Sequence, residues 1–404
     1  MTVAILVGAR PNFIKAAPLW RALCEQAQLR PLLVYTGQHR QADMCRVFFE
    51  ELDLPPPLSC ALPAEIPAAR GLVELSGRIQ SLLQAVRPDW AMVIGDVTST
   101  AAGARAAWHL GIPLAHIEAG LRCGDLQMAE ERNRISADHY SQLLFATEPS
   151  AVANLLDEGI EPSRIHWVGN VLVDALLQIL PKAEQKSWVD VLHRRACAEQ
   201  NLQFFRRPAE GYVLCTFHRA ENVDCPLTLR RLVAVVLVLS RYLPVVFPVH
   251  PRTEHQLRRW NLWTSLSRCP AVALLHPVGY SDMICLQKNA RVILTDSGGV
   301  QEESTVLGVP CLTLRSSTER PITLWCGTNV LLDKWHPLGV LRRVKQLCAQ
   351  PLSASPRRPP LWDGHTAERI VRILLSVGKP RHFEPERKKR GVVSRPQGGS
   401  SPLL

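Results

Sequence analysis

The sequence predicts an α/β protein made of two doubly wound parallel sheets that face each other across a cleft. The first observation behind this is length. At 404 residues the chain exceeds what one hydrophobic core usually serves and suggests about two domains. The second is rhythm. Short apolar runs at 3–7, 32–35, 90–94, 114–117, 143–146 and 165–168, then at 212–216, 245–249, 272–275, 291–295 and 311–314, alternate with helical stretches. Strands separated by helices form parallel sheets covered on both faces. The third is a break: residues 180–208 are rich in charge and carry no strand pattern, which puts a boundary near 170–180. A first domain is expected over 1–172 and a second over 173–364. A helix at about 365–380 is expected to pack back on the first, with a basic tail over 381–404.

Composition narrows the class. Hydrophobic residues at 47% and charged residues at 21% are ordinary for a soluble globular protein. No apolar run reaches the roughly 18 to 20 residues that span a bilayer. The longest, Leu232–Leu239, is bracketed by Arg231 and Arg241 and reads as a buried helix, so no membrane insertion is expected. Met1–Val7 lacks a basic leader and runs into a glycine turn, which fits a first strand better than a signal peptide and points to the cytosol. The twelve cysteines show neither Cys-x-x-Cys pairs nor zinc spacing, and read as small hydrophobes in a reducing compartment. Of the net charge of +11, much sits in residues 356–404, where eleven Lys/Arg face four Asp/Glu. The body is only mildly basic, and a nucleic-acid partner is not expected. Glu386–Arg390 and the Gly/Ser-rich Gln397–Pro402 cannot bury a core and read as a solvated tail.

The chemistry lies in the turns that follow the strands, because parallel sheets bind ligands at the carboxyl ends of their strands. Val292–Thr295 runs into Asp296-Ser297-Gly298-Gly299 and then a helix. A strand that stops there leaves unpaired N–H groups and a positive helix end aimed at one spot, which suits a phosphate. Glu303, a turn into that helix, is placed to accept hydrogen bonds from a ribose. After the first strand, Gly8–Lys15 presents Arg10 and Lys15, two cations for an anionic ligand. Thr36–Arg40 follows the second strand, Gly95-Asp96 the third and Glu118–Arg122 the fourth. Glu130-Glu131 opens a helix, where neighbours point about 100° apart, so only one of the pair can share a site with Asp96 and Glu118. His218 and His250 each follow a strand in the second series, and His39 one in the first. A single acid after a strand is as often a helix cap as a catalyst. Three acids and His218 on one rim make a stronger case.

Taken together, these motifs resemble the non-hydrolysing UDP-N-acetylglucosamine 2-epimerases, a bacterial and archaeal family with two Rossmann-like domains arranged as in GT-B glycosyltransferases. The resemblance runs over roughly residues 3–375. It rests on Gly8–Lys15, Thr36–Arg40, Gly95–Thr100, His116–Arg122, Thr295–Glu303 and Ser317–Pro321. Two departures stand out: Ala129 where a proline usually precedes the glutamate pair, and the extra basic tail.

The resemblance implies a mechanism. The C2 proton of the sugar is not acidified by a carbonyl, so it leaves only as the C1–oxygen bond to UDP breaks. UDP and 2-acetamidoglucal are then held in the closed cleft and recombine with a proton delivered to the opposite face of C2. Asp96, Glu118 and Glu130 match the acid/base carboxylates, with no assignment of faces, and His218 lies near the departing oxygen. Arg10, Ser297, Gly298, Gly299 and Arg320 match groups on the diphosphate, Lys15 lies near the site, Glu303 serves the ribose, and Val278 and Met283 line the uracil pocket. No pyridoxal, flavin, nicotinamide or metal is called for, because nothing is oxidised. The family also implies a homodimer and a role in polysaccharide synthesis. Two alternatives share the site: a hydrolysing epimerase that releases N-acetylmannosamine and UDP, and a GT-B glycosyltransferase.

Overall fold

The computed structural model describes residues 1–37, 49–59, 68–197, 200, 202, 205, 211–349 and 358–380. Gln38, His39 and Arg40 of the second strand-end motif, and the 381–404 tail, lie outside them. Among the described residues the strands form two parallel sheets. The first contains β1 (Thr2–Val7), β2 (Arg30–Tyr35), β3 (Leu58–Ser59), β4 (Trp90–Ile94), β5 (Leu114–Ala119), β6 (Leu143–Ala146) and β7 (Ile165–Trp167) in the order β3-β2-β1-β4-β5-β6-β7. The second contains β8 (Val213–Thr216), β9 (Val245–Pro248), β10 (Val272–Leu275), β11 (Val292–Thr295), β12 (Cys311–Thr313) and β13 (Asn329–Leu331) in the order β10-β9-β8-β11-β12-β13. All eleven expected strands are present. The two that the apolar pattern missed, β3 and β13, are edge strands of two and three residues.

The strands read as continuous apolar runs because both faces of each sheet are covered. In β1, Val3, Ile5 and Val7 pack into the cluster that holds Phe13, Leu19 and Leu176. Ala4 and Leu6 point the other way, onto Leu75, Ile79, Leu83 and Ala102. The helix Val171–Glu184 joins the two sheets: it lies against Arg10–Cys24 on one side and against Tyr280–Lys288 and Gly298–Leu307 on the other. Asn170 caps it, its Oδ1 accepting the Leu172 N–H at 2.9 Å.

After the second sheet the chain returns to the first. The helix Thr366–Val377 lies on Arg10–Cys24. The Trp362 indole donates to the Thr147 carbonyl at 3.2 Å, and Trp90 donates to the Gly378 carbonyl at 3.1 Å. Among the described residues no helix is long and apolar enough to cross a membrane.

In both sheets the strand order reverses next to the central strand, between β1 and β4 and between β8 and β11. Side chains that follow these four strands are therefore brought to two crevices, which is where open parallel sheets bind ligands.

Trp362 is almost fully buried, and its replacement leaves a cavity as well as an unpaired carbonyl. Trp362→Ala should destabilise the protein by about 3–5 kcal/mol, with Trp362→Phe intermediate, as read from chemical denaturation curves.

Candidate active site

The first crevice is built around Asn12. Its Oδ1 accepts the Gly8 and Ala9 N–H groups at 3.2 and 3.1 Å, and its Nδ2 donates to the Ile94 carbonyl at 2.9 Å, which ties the end of β1 to the end of β4. Gly8 has no room for a side chain: a Cβ there would come within 2.1 Å of Ser99 Oγ. The turn hands over to the helix Arg10–Cys24, which carries Arg10 and, a turn later, the buried Lys15.

Glu118 closes β5 in an unusual backbone. Its φ is +69°, and the pairing of β5 with β6 shifts register between Ile117 and Ala119. A bulge of this kind re-aims a side chain, and the conformation costs energy that the surroundings must supply. They do so with charge. Glu118 Oε2 pairs with Lys15 Nζ, and Oε1 lies 3.3 Å from Arg320 Nη2. Burial alone would raise the Glu118 carboxyl, but Lys15, Arg320 and Arg134 pull it down to about 2.

Asp96 follows Gly95, itself at φ +69°. Its carboxylate pairs with the buried Arg134, and its carbonyl accepts from Asn133 at 2.9 Å. Its side chain stays 22% exposed against 1% for Glu118, so the two carboxylates sit in different surroundings. His116 braces both loops: Nδ1 is 2.6 Å from Asp138 and Nε2 2.8 Å from the Gly95 carbonyl. Asp138 also accepts from Arg122 at 2.7 Å and from the Gly120 N–H at 3.2 Å.

Of the adjacent glutamates, Glu131 is the buried one. It accepts the Cys123 and Gly124 N–H groups and fixes that loop. Glu130 is exposed in the first helical turn, within electrostatic reach of Arg252 from the second sheet's side.

In the second crevice the organiser is Asp296, at the end of β11. It accepts N–H groups from His218 and Arg219, each at 3.1 Å, and the Asn222 amide at 3.0 Å, and lies 3.2 Å from His218 Nδ1. Burial pushes its carboxyl up, but the hydrogen bonds and charge of His218, with Asn222 and Arg219, bring it below the usual range. A carboxylate at Nδ1 fixes that nitrogen as the proton carrier and presents Nε2 to a ligand. The His218 ring is 39% exposed and packs, tilted, against His250 with centroids 5.4 Å apart. His250 itself caps the next helix, accepting the Arg252 N–H.

Ser297 precedes the helix Gly298–Leu307 with an extended backbone and no side-chain cap. The glycine at 298 has a specific cause: a Cβ there would sit 2.4 Å from Arg320 Nη1. Arg320 is held by three acids. Nη1 pairs with Glu319, Nε lies 2.9 Å from Glu302 Oε1, and Nη2 reaches Glu118 across the cleft. Burial opposes its charge, but Glu302, Glu319 and Glu118 outweigh that and keep it protonated. Glu302 is anchored by Asn170 Nδ2 at 2.8 Å.

Glu303 accepts from Gln287 at 2.5 Å, and burial raises it to about 7 although Gln287 and Arg10 pull the other way. Arg10 Nη2 donates to the Val278 carbonyl at 2.8 Å. Val278 is buried, and Met283, within the helix Tyr280–Lys288, packs on the core.

The structure thus joins Lys15, Glu118 and Arg320 in one network, with Arg134 linking it electrostatically to Asp96, and connects Arg10 to Val278 and Glu303. His218 stands over Asp296, directly before Ser297. Glu130 is outside the direct contacts. Sequence reasoning missed Arg134, Asp296, Glu302 and Glu319. Each is within five residues of an assigned position, but Arg134, Asp296 and Glu302 take their roles from partners far away in sequence, and Glu319 adds the distant Arg219 to its neighbours Arg320 and Arg315.

The arrangement can hold a dianionic group between two crevices and place two unlike carboxylates beside it. Known proteins show the same combination of sequence and fold. The profile of the UDP-N-acetylglucosamine 2-epimerase family matches residues 21–375. The UDP-N-acetylglucosamine 2-epimerase of Methanocaldococcus jannaschii is 38% identical over 384 residues, covering 93% of this chain and 99% of that one. The UDP-2,3-diacetamido-2,3-dideoxy-D-glucuronate 2-epimerase of Pseudomonas aeruginosa is 38% identical over 340 residues, 82% of this chain and 88% of that one. Among solved structures, the M. jannaschii UDP-GlcNAc 2-epimerase in complex with UDP-GlcNAc and UDP has a TM-score of 0.81 at 37% identity, covering 94% of this chain and all of that one. The Neisseria meningitidis UDP-GlcNAc 2-epimerase bound to UDP-GlcNAc has a TM-score of 0.79 at 28% identity, covering 93% of this chain and 100% of that one. The match extends over nearly the full length of both partners, and the chain belongs to the UDP-N-acetylglucosamine 2-epimerase family.

Proposed function

We propose that the protein interconverts UDP-N-acetylglucosamine and UDP-N-acetylmannosamine by eliminating UDP and adding it back. The observation that carries the proposal is the Lys15–Glu118–Arg320 bridge, which puts a carboxylate and a guanidinium from opposite sides of the cleft at one point. Arg320, Arg10 and the first N–H groups of the Gly298–Leu307 helix receive the diphosphate, and His218 meets the oxygen that leaves C1. As the C1–O bond breaks, its electron pair goes to the β-phosphate. The C2 proton passes to a carboxylate, and the C2–H electrons form the C1–C2 double bond of 2-acetamidoglucal. Re-addition reverses these steps with a proton delivered to the other face, so two groups are needed.

Asp96 and Glu118 are those two, and their unlike surroundings suit unlike roles. Glu118, held near 2, is ionised at neutral pH and becomes a stronger base once a diphosphate draws Arg320 away. Glu130 is the third carboxylate of the proposed set and is exposed to solvent. Glu303 receives the ribose hydroxyls, while Val278 and Met283 border the base. A C6-modified 2-acetamido sugar fits the same chemistry, as the substrate named for the Pseudomonas relative illustrates.

Incubation with UDP-N-acetylglucosamine in D2O, followed by proton NMR, should show the C2 proton signal fading while UDP-N-acetylmannosamine appears. Free N-acetylmannosamine with UDP would mean hydrolysis instead, and an unchanged spectrum would sink the reading for this sugar.

Asp96→Asn should lower kcat by about 10²- to 10⁴-fold while UDP affinity, measured by calorimetry, stays within a few-fold.

Glu303 supplies a pH signature. Its carboxyl lies above its unfolded value, so its stability contribution is complete below about pH 4.5 and is lost as pH rises through about 7. Glu303→Gln removes that loss, worth about 3 kcal/mol, and should flatten the pH dependence of unfolding over this window. Glu148, also raised to about 7 by burial, titrates there in both proteins and cancels in the difference.

A further inference from the structure

The helix Tyr280–Lys288 begins without a cap of its own. Gly279 occupies the cap position and makes no side-chain hydrogen bond. The helix start is capped instead from the first sheet's side, by Glu51, more than two hundred residues earlier. Glu51 Oε2 accepts the Tyr280 N–H at 2.8 Å and Oε1 the Ser281 N–H at 2.8 Å, and Oε1 also accepts the Ser281 hydroxyl. A helix needing only local stability would carry Ser or Asp at its cap. Here a Cβ on residue 279 would meet Glu51 Oε2 at 2.8 Å, so the glycine makes room for the distant carboxylate.

Arg10 acts on the same segment, also from the first sheet's side, by donating to the Val278 carbonyl. It lies within electrostatic reach of both Glu51 and Glu303. Four consecutive residues, 278–281, are thus gripped twice across the cleft, at the end where the base and ribose are placed. Lys186 fixes the segment from behind through Ser281 and Asp282, both at 2.5 Å.

We propose that Glu51 is a positioning residue for nucleotide binding. Its carboxylate clamps the 278–281 segment to the opposite side of the cleft, so that closing the cleft and forming the base pocket are coupled. The inference rests on the nucleotide-sugar reading given above. Coupling is reciprocal: a nucleotide that fills the pocket strengthens the clamp, and loss of the clamp weakens the nucleotide. Chemistry at C1 and C2, at the other end of the ligand, is not touched.

The test uses full-length Glu51→Ala and Gly279→Ala, with Asp53→Ala as an exposed neighbouring control. UDP affinity is measured by calorimetry, KM and kcat with UDP-N-acetylglucosamine, and amide exchange at Tyr280 and Ser281. Glu51→Ala should raise the UDP Kd and the KM about tenfold, equivalent to about 1.4 kcal/mol, with kcat changed by less than about twofold. The two amides should exchange faster, and Asp53→Ala should move none of these. Gly279→Ala crowds the clamp from the other side, should shift Kd in the same direction, and serves if Glu51→Ala does not fold. Wild-type Kd and exchange in the variants, or a fall in kcat with Kd and KM unchanged, overturns the proposal. If the unaltered protein neither binds UDP nor turns over the sugar nucleotide, the functional reading falls. Exchange at the two amides then decides the clamp alone.

Discussion

The Arg320 guanidinium, buried against Glu302, Glu319 and Glu118, is the constraint on which the rest of the site depends. Removing one member of a buried ion pair leaves an uncompensated charge and typically costs about 3–5 kcal/mol. Each partner is therefore fixed by the others. The left-handed backbone of Glu118 and the bulge in β5 point its carboxylate at Arg320. Gly298 lacks a side chain because the guanidinium lies against it. Asn170 holds Glu302 while capping the helix that joins the two sheets. One interaction sets a strand end, a helix start and the contact across the cleft.

That arrangement also explains how a strongly charged site is kept ready for an anion. Glu319 gathers Arg320, Arg315 and Arg219, and Arg219 in turn braces the Asp296 carbonyl at 3.0 Å. The cations are held in place by carboxylates before a ligand arrives. In the proposed reaction a diphosphate would take the place of Glu118 on Arg320 instead of recruiting a mobile side chain from solvent. Preorganisation of this kind is where most electrostatic stabilisation of a leaving group comes from. A Glu118 carboxylate released from Arg320 would still have Lys15 as its partner.

The fold was legible because a strand covered on both faces needs an apolar run, and every strand of four or more residues carries one. β3 and β13 escaped because two or three residues at an edge, after Pro55-Pro56-Pro57 or beginning with Asn329, leave too little pattern. The candidate site was legible to the extent that parallel sheets gather side chains after their strands, which is where Arg10, Asp96, Glu118, His218 and Ser297 lie. What stayed hidden depends on distances between remote segments. Glu302 and Glu303 are neighbours in sequence, yet a 100° turn of the helix sends one to Arg320 and the other to Gln287. Glu51 carries no signal at all, because its partners are 229 and 230 residues away.

Two helix starts in the second sheet layer show how the protein decides where an anion goes. Both offer free N–H groups and a positive end, and neither has a side-chain cap from its own first residue. The Tyr280–Lys288 start is filled by Glu51, a charge supplied by the protein itself. The Gly298–Leu307 start has the Arg320–Glu319 pair beside it and no side-chain cap. Under the proposed function, a diphosphate would find the first start's N–H groups already taken by Glu51 and those of the second not capped by a side chain. The proposed orientation of the nucleotide sugar agrees with that difference: phosphates at Ser297–Gly299, and the uncharged base toward Val278, where a carboxylate already occupies the helix end.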